Sequence, residues 1–407
     1  MPYRPSNVAL EIGTTNVRAL VGEIRDDHHV VVTGVGVARS DGVRKGQIVS
    51  VEAAVEPVRD ALRQAAGQSD VAIRTVYLAV TGGHIRGDIN RGTIHVMNAE
   101  GAITEAEVRS VAQVAKSVSL PQGREVMHTI WKQFFVDGHE GVSDPIGLSG
   151  RRLEQEIMIV HGEQSQIMNA VRVARNADVE VEDIAFSGLC ASLAALTPEQ
   201  RNSGVLLLNL GGGTTEYYAY ANRAIAAAGV IAVGGDHLTN DIALGLKIPT
   251  ARAERLKLEH GSAVPEPAQR HQPIPLPAES GFPERVVRLG DLQLIIHARM
   301  QETLRIVRKE MERQGLLERF GAGVVLTGGG ALLRRLPDLV SREFNLPCGL
   351  GRPRGVSGLS VNFEPEFATA VGLLLYIERG GPRVGSGWNF RDLLRRVFGG
   401  WGATAYE

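Results

Sequence analysis

The chain has 407 residues, with 44 Lys and Arg against 45 Asp and Glu, a net charge of −1. That length implies more than one hydrophobic core and several subdomains, and the balanced charge leaves no electrostatic footprint for nucleic acid. Two cysteines in apolar surroundings, Cys190 and Cys348, suit buried thiols rather than a disulfide. The N-terminus lacks a signal-peptide pattern and no apolar run reaches the ~20 residues of a membrane span, so the expectation is a cytoplasmic protein unless something tethers it.

Residues 8–38 read as three strands. The first two meet at Val8-Ala9-Leu10-Glu11-Ile12-Gly13-Thr14-Thr15, an apolar run followed by a polar residue, glycine and two threonines. That reads as a β-hairpin with a glycine tip. A helix is expected over 51–66 and a strand over 76–80. Composition changes near Gly82, and the block 83–165 has its own strands (92–96, 126–136, 155–161) and a helix (105–117). It reads as an inserted subdomain. A helix over 166–177 returns the chain to the first lobe.

The second lobe opens at Gly204. Here Leu206-Leu207-Leu208-Asn209-Leu210-Gly211-Gly212-Gly213-Thr214-Thr215 repeats the first device, and 216–221 reads as its returning strand. A glycine tip lets backbone N–H groups approach a phosphate, with hydroxyls alongside. Two such tips suggest a duplicated fold clasping a nucleotide. Helices over 236–246 and 251–260 lead to a proline-rich segment, 264–283, expected to be a loop because proline removes backbone donors. Its Pro-Ile-Pro-Leu-Pro run also fits a peptide-docking motif. A helix over 291–314 has one core face. Then Gly323-Val324-Val325-Leu326-Thr327-Gly328-Gly329-Gly330 reads as a buried strand, a glycine turn and a helix that can close over a base or ribose.

After Gly385-Ser386-Gly387 the tail places Phe390, Leu393, Leu394, Val397 and Phe398 on one helical face. Arg391, Arg395 and Arg396 lie on its flanks, and Trp388 and Trp401 bracket it. An aromatic, basic, amphipathic terminal segment reads as an interfacial membrane helix, the alternative being a helix docked on the protein's own core.

The three glycine segments resemble the phosphate-1, phosphate-2 and adenosine motifs of the actin, hexokinase and heat-shock-chaperone superfamily. Within it the chain resembles the FtsA family of bacterial cell-division proteins. The narrower likeness rests on Gly82-Gly83-His84-Ile85-Arg86 with Asn90-Arg91-Gly92, and on Arg124-Glu125-Val126-Met127-His128 with Asp137 to Val142 and Pro145 to Gly150. It rests also on Gly234 to Ala243 with Ala253-Glu254-Arg255-Leu256-Lys257, and on Ala368 to Leu373.

The resemblance implies an α/β, two-lobed actin/hexokinase-like fold, a duplicated ribonuclease H-like unit with an inserted α+β subdomain and a C-terminal amphipathic helix. It divides the chain into a first lobe (1–82, 166–203, 356–378), the insertion (83–165), a second-lobe core (204–235, 316–355), its small subdomain (236–315), a linker (379–387) and the tail (388–407). It implies ATP and Mg²⁺ as ligands, with Gly13, Thr14, Thr15, Gly211, Gly212, Gly213, Thr214, Thr215, Gly235, Asp236, Gly328, Gly329 and Gly330 around the nucleotide. Asp236 opens a helix whose N-terminus would favour an anion. Glu254 and Lys257 would flank the adenosine, where spacing alone reads an ordinary surface ion pair. It further implies self-association into filaments, the C-terminal peptide of FtsZ as a partner, and a place on the cytoplasmic side of the cell membrane at the division site.

Three positions depart from the superfamily pattern, which usually has Asp where this chain has Glu11, Asn209 and Glu216. Carboxylates hold the waters of a phosphate-bound Mg²⁺. Glu11 keeps the charge on a longer arm, while Asn209 is neutral and no base. Nucleotide binding with little or no hydrolysis is the expectation. Two alternatives share the fold. A sugar or metabolite kinase needs a catalytic Asp facing an acceptor pocket, and no candidate stands out. An actin-like scaffold of a pilus or secretion apparatus should lack the 83–165 pattern and the amphipathic tail.

Overall fold

The computed structural model describes residues 7–97, 101–278, 281, 283–358 and 364–380. The tail and the linker from residue 381 lie outside them. The chain opens with β1 (Asn7–Ile12), β2 (Asn16–Ile24), β3 (Val30–Arg39), the short pair β4 (Val43–Arg44) and β5 (Gln47–Ile48), α1 (Val51–Ser69) and β6 (Thr75–Val80). The next block holds β7 (Arg86–His95), α2 (Glu105–Lys116), β8 (Arg124–Val136), β9 (His139–Val142) and β10 (Arg152–Glu163). Then come α3 (Gln164–Asn176), β11 (Glu180–Phe186), α4 (Ser187–Ala195), α5 (Pro198–Ser203), β12 (Val205–Leu210), β13 (Thr215–Ala221) and β14 (Ala224–Ile231). The rest comprises α6 (Gly235–Leu246), α7 (Thr250–His260), β15 (Pro273–Leu276), β16 (Arg285–Arg288), α8 (Leu289–Arg313), β17 (Val324–Thr327), α9 (Leu336–Phe344), β18 (Cys348–Leu350), β19 (Val356–Gly358) and α10 (Ala368–Glu378).

The duplication is visible in strand order. One sheet runs β11-β6-β1-β2-β3-β19, and the other begins β18-β17-β12-β13-β14. In both, three consecutive antiparallel strands are joined on the first strand's far side by two parallel ones. The apolar run of β12 has a reason in this arrangement. Val205 and Leu207 enter the larger core, which is shared with the first sheet, and Leu206, Leu208 and Leu210 enter the second lobe's core. A strand buried on both faces needs no polar alternation. In the first lobe α10 is buried almost all round, packed on α4 and β1.

The inserted block extends the second sheet. Strands β7, β10, β8 and β9 continue it from β14 through the single pair Gly229↔Arg86. α2 covers one face of this extension, over a small core of Ile103, Val111, Phe134, Val136 and Leu153. A capping box at Thr104 and Glu107 starts α2 where the sequence places it.

Two expectations need correction. The proline-rich segment is no simple loop: Pro273–Leu276 pairs with Arg285–Arg288 as a two-stranded ribbon. Ile274 and Leu276 are buried while Pro273 and Pro275 face solvent, so the alternation is that of a strand whose prolines sit on an edge. Its Pro-Ile-Pro-Leu run is thus used within the fold. After Gly328 the chain makes a single 3-10 turn, Gly329–Leu332, and the α-helix begins only at Leu336.

Candidate functional site

Each lobe contributes one hairpin tip, and both close the same way. Gly13 N–H donates to the Asn16 carbonyl at 3.1 Å, and Gly211 N–H donates to the Thr214 carbonyl at 2.8 Å. The tip residues are therefore Thr14-Thr15 in one lobe and Gly212-Gly213 in the other. The threonines of the two copies do not superpose: Thr214 and Thr215 lie on the returning side. The tips meet, since a Cβ at Gly212 would collide with the Thr15 hydroxyl and one at Gly213 with that of Thr14. Glycine at both positions permits this approach.

Behind the tips lies a cavity of about 480 Å³. Of the residues singled out in the sequence, Gly13, Thr14, Thr15, Gly211, Gly212, Thr214, Thr215, Gly235, Asp236, Glu254, Lys257, Gly328, Gly329, Gly330, Glu11 and Asn209 all line it. Gly213 does not; it packs on Lys45 and Thr14. The Thr215 hydroxyl is turned away, donating to the Val233 carbonyl at 2.8 Å. Thr14 Oγ1 accepts the Gly46 N–H at 3.0 Å.

The N-terminus of α6 is not an open anion site. Its amides at Gly235 and Asp236 donate to the Gly211 and Gly212 carbonyls, at 3.0 and 2.7 Å. The helix holds the second tip in place instead. Burial raises the Asp236 carboxyl above its usual range, and Lys257 opposes this. Lys257 Nζ pairs with Glu254 at 2.7 Å and donates to the Gly235 carbonyl and the Thr239 hydroxyl at 3.1 and 2.9 Å. This pair forms part of a cavity wall and is no free surface bridge.

Gly328 stands opposite, with φ of 80°. A Cβ there would meet Asn209 Oδ1 at 2.5 Å, so only glycine fits both the backbone and the space. Away from Asn209 the lining becomes more apolar, with Leu258, Leu332, Leu333 and Met300 beside Thr303 and Arg334.

The polar end is set by cross-strand partners. Glu11 sits opposite Arg18 on β1–β2, and Asn209 opposite Glu216 on β12–β13. Glu11 is partly buried, and desolvation raises its pKa to about 7 against the pull of Arg18. Its Oε2 has no hydrogen-bond partner among the described residues and lies 3.7 Å from the Arg18 guanidinium. Arg18 also faces Glu366 at 3.9 Å and the Phe367 ring at 5.4 Å. Asn209 Nδ2 donates to Glu216 Oε2 at 3.0 Å and Thr369 Oγ1 at 3.2 Å. Glu216 accepts further bonds from Ser187 and Thr81, and burial raises its pKa.

A Mg²⁺ ion held through its waters fits this set only in part. Glu11 Oε2 accepts no hydrogen bond among the described residues and would be able to hold a metal-bound water, whereas Asn209 offers only a neutral amide oxygen. No group of three or more His, Cys, Asp and Glu able to cage a metal occurs among the described residues.

Sequence reasoning misses Arg18, Thr81, Ser187, Glu366 and Thr369. Arg18 is findable: a two-residue tip puts it directly across from Glu11 in the hairpin. Glu366 and Thr369 come from over 140 residues away and carry no local signal.

A sequence model of the family described as Cell division protein FtsA matches residues 206–372, and one described as the SHS2 domain inserted in FtsA matches residues 82–161. The chain is 33% identical over 370 residues to the cell division protein FtsA of Pseudomonas aeruginosa, covering 91% of this chain and 88% of that one. It is 33% identical over 377 residues to FtsA of Escherichia coli K12, covering 91% and 89%. Among solved structures, a PilM–PilN type IV pilus biogenesis complex superposes with a TM-score of 0.64 at 16% identity, over 94% of this chain and 100% of that chain. MreB5 of Spiroplasma citri bound to ADP does so with a TM-score of 0.54 at 16% identity, over 92% and 98%. These structural likenesses establish the two-lobed actin-like fold, and the sequence relatives set aside the kinase and pilus-scaffold alternatives. The chain belongs to the FtsA family of actin-like cell-division proteins.

Proposed function

We propose that this protein binds ATP with Mg²⁺ between its two hairpin tips, self-associates into filaments, and anchors the FtsZ ring at the cytoplasmic face of the cell membrane during division. One observation carries the reading. Two equivalent glycine turns, one from each lobe, meet over a single cavity that is polar at the tips and more apolar towards Leu258 and Leu332. That gradient matches a triphosphate at one end and a base at the other. The ADP in the MreB5 neighbour supports it.

In this reading the tip amides and the Thr14, Thr15 and Thr214 hydroxyls hold the phosphates, Arg18 supplies a fixed positive charge, and Gly328, Gly329 and Gly330 border the ribose. Mg²⁺, when bound with the nucleotide, neutralises phosphate charge, and Glu11 would hold it through water. Water activation lacks a competent base. Asn209 cannot take a proton. Glu216 is saturated by three donors. Of the carboxylates on the two hairpins, Glu11 is left, and it is held beside the Arg18 charge. Hydrolysis is therefore slow.

The FtsZ C-terminal peptide docks on the subdomain of α6, α7 and α8, and the inserted block contributes to filament contacts. The tail, through Trp388, Phe390, Leu393, Leu394, Arg395, Arg396, Val397, Phe398 and Trp401, lies in the membrane interface. No helix among the described residues is long and apolar enough to cross a membrane. Sedimentation with ATP and anionic liposomes tests the whole reading. ATP-dependent co-pelleting is expected; equal pelleting without nucleotide or without liposomes contradicts it.

A further inference from the structure

His128 belongs to β8 of the inserted block, yet its ring is buried against the first lobe. Its Nε2 accepts the backbone N–H of Phe186 at 2.9 Å. The ring stands edge-on to Tyr376 of α10, with centroids 5.8 Å apart. Among the described residues β11 is the edge strand of its sheet, paired only with β6. On the open side the N–H of its last residue, Phe186, meets no strand among the described residues, and His128 supplies the acceptor.

The contact is tied to the cavity through the residue after Phe186. Phe186 is the N-cap of α4, and Ser187 is that helix's first residue. The Ser187 hydroxyl donates to Glu216 Oε1 at 2.5 Å. Glu216 in turn accepts from Thr81 and from Asn209 Nδ2. All four of these side chains line the cavity. A continuous run of hydrogen bonds and one peptide link therefore leads from the inserted block to the cavity floor.

The chemistry constrains the ring. An Nε2 that accepts must carry a lone pair, so the proton sits on Nδ1 and the imidazole is neutral. Burial agrees, lowering the His128 pKa to about 4. A purely apolar residue of the same size would fill the space but leave the Phe186 amide buried and unpaired, and the amide would then move to find a partner.

We propose that His128 is a positioning residue of the nucleotide cavity: by fixing the Phe186–Ser187 junction it holds Glu216 and Asn209 in place, so that occupancy of the cavity and the setting of the inserted block are coupled. The proposal rests on the reading that the cavity takes ATP. It makes the inserted block a responder to nucleotide through its own side chain, in addition to being an arm of the sheet.

Hydrogen–deuterium exchange on the full chain, with and without Mg²⁺-ATP, separates the two claims. In the natural protein ATP should protect both tips and also β8 around His128. In His128→Leu the β8 response should vanish, and ATP affinity should fall roughly tenfold, the scale of one lost buried hydrogen bond. His128→Gln, whose Oε1 can replace Nε2 as acceptor, should restore both. Ser187→Ala keeps the His128 contact but removes the link to Glu216, and should also silence β8. Should His128→Leu fail to fold, Ser187→Ala decides. A β8 response undiminished in Ser187→Ala or His128→Leu overturns the coupling, as does a His128→Gln protein no better than His128→Leu. Absence of ATP protection at the tips of the natural protein would instead overturn the nucleotide reading, and the coupling with it.

Discussion

Asn209 and Glu216 face each other across the second hairpin, and the Asn209 amide donates to the Glu216 carboxylate at 3.0 Å. An aspartate at 209 would turn this bond into a repulsion between two buried carboxylates, one of which would have to stay protonated. Asn209→Asp is expected to lower stability by about 2–4 kcal/mol at pH 7.5. The sign with pH is fixed: a carboxyl whose folded pKa is raised destabilises above its unfolded pKa, so the loss shrinks as pH falls towards 5. Urea unfolding at both pH values measures it, and full natural stability at pH 7.5 would show that the pair is not as described.

Turnover depends on the same pair. Phosphate release from ATP should be far below ~1 s⁻¹, the low end of ordinary enzyme rates. Asn209→Asp combined with Glu11→Asp restores both usual carboxylates and should raise it. An ordinary enzymatic rate in the natural protein would mean that some other group activates water.

Much of this architecture is legible in the sequence because it is periodic. The two glycine hairpins and the long helix α8 announce themselves locally, although Leu294, Ala298 and Ile306, three apolar positions of α8, are exposed rather than in its core face. The 273–276 strand does not, because its prolines read as breakers while the buried alternation of Ile274 and Leu276 is only two residues long. Matching threonine to threonine gives the wrong equivalence between the tips, since the hairpin closures pair Thr14-Thr15 with Gly212-Gly213. Glu366, Thr369 and Ser187 reach the cavity only through tertiary packing, which no local pattern encodes.

Acid should expose the role of the buried histidine. Burial lowers the His128 pKa from 6.5 to about 4, so the unfolded chain binds the extra proton first and stability falls as pH drops from 6.5 towards 4. Glu11, raised to about 7, acts in the opposite direction but is present in any variant compared. His128→Gln does not titrate. Its stability relative to the natural protein should therefore improve by roughly 2–3 kcal/mol between pH 7.5 and 4.5. Paired unfolding curves at the two pH values test this, and an unchanged difference would contradict it.

The membrane role hangs on weak, repeated contacts. Three tail arginines near an anionic leaflet contribute about 1 kcal/mol each, and partial burial of the aromatic and aliphatic face adds several more. Ordering a helix costs roughly 1–2 kcal/mol per residue and offsets most of that gain. A single tail should bind reversibly, while a filament presenting many tails binds firmly through effective concentration. Removing residues 388–407 should abolish liposome flotation and leave ATP affinity intact. Undiminished flotation of the truncated chain would refute the tail assignment.

The central claim is that nucleotide occupies the cavity between the tips, and Gly329 is the place to test it. A Cβ there meets nothing nearer than Glu366 at 3.9 Å, so Gly329→Asp has room in the fold while projecting a carboxylate into the cavity. Calorimetric titration of Mg²⁺-ATP into both proteins is the direct measurement. The account predicts binding to the natural protein and at least a roughly tenfold weaker affinity, about 1.4 kcal/mol, in Gly329→Asp with its melting transition retained. Equal ATP affinity in the two proteins would contradict it.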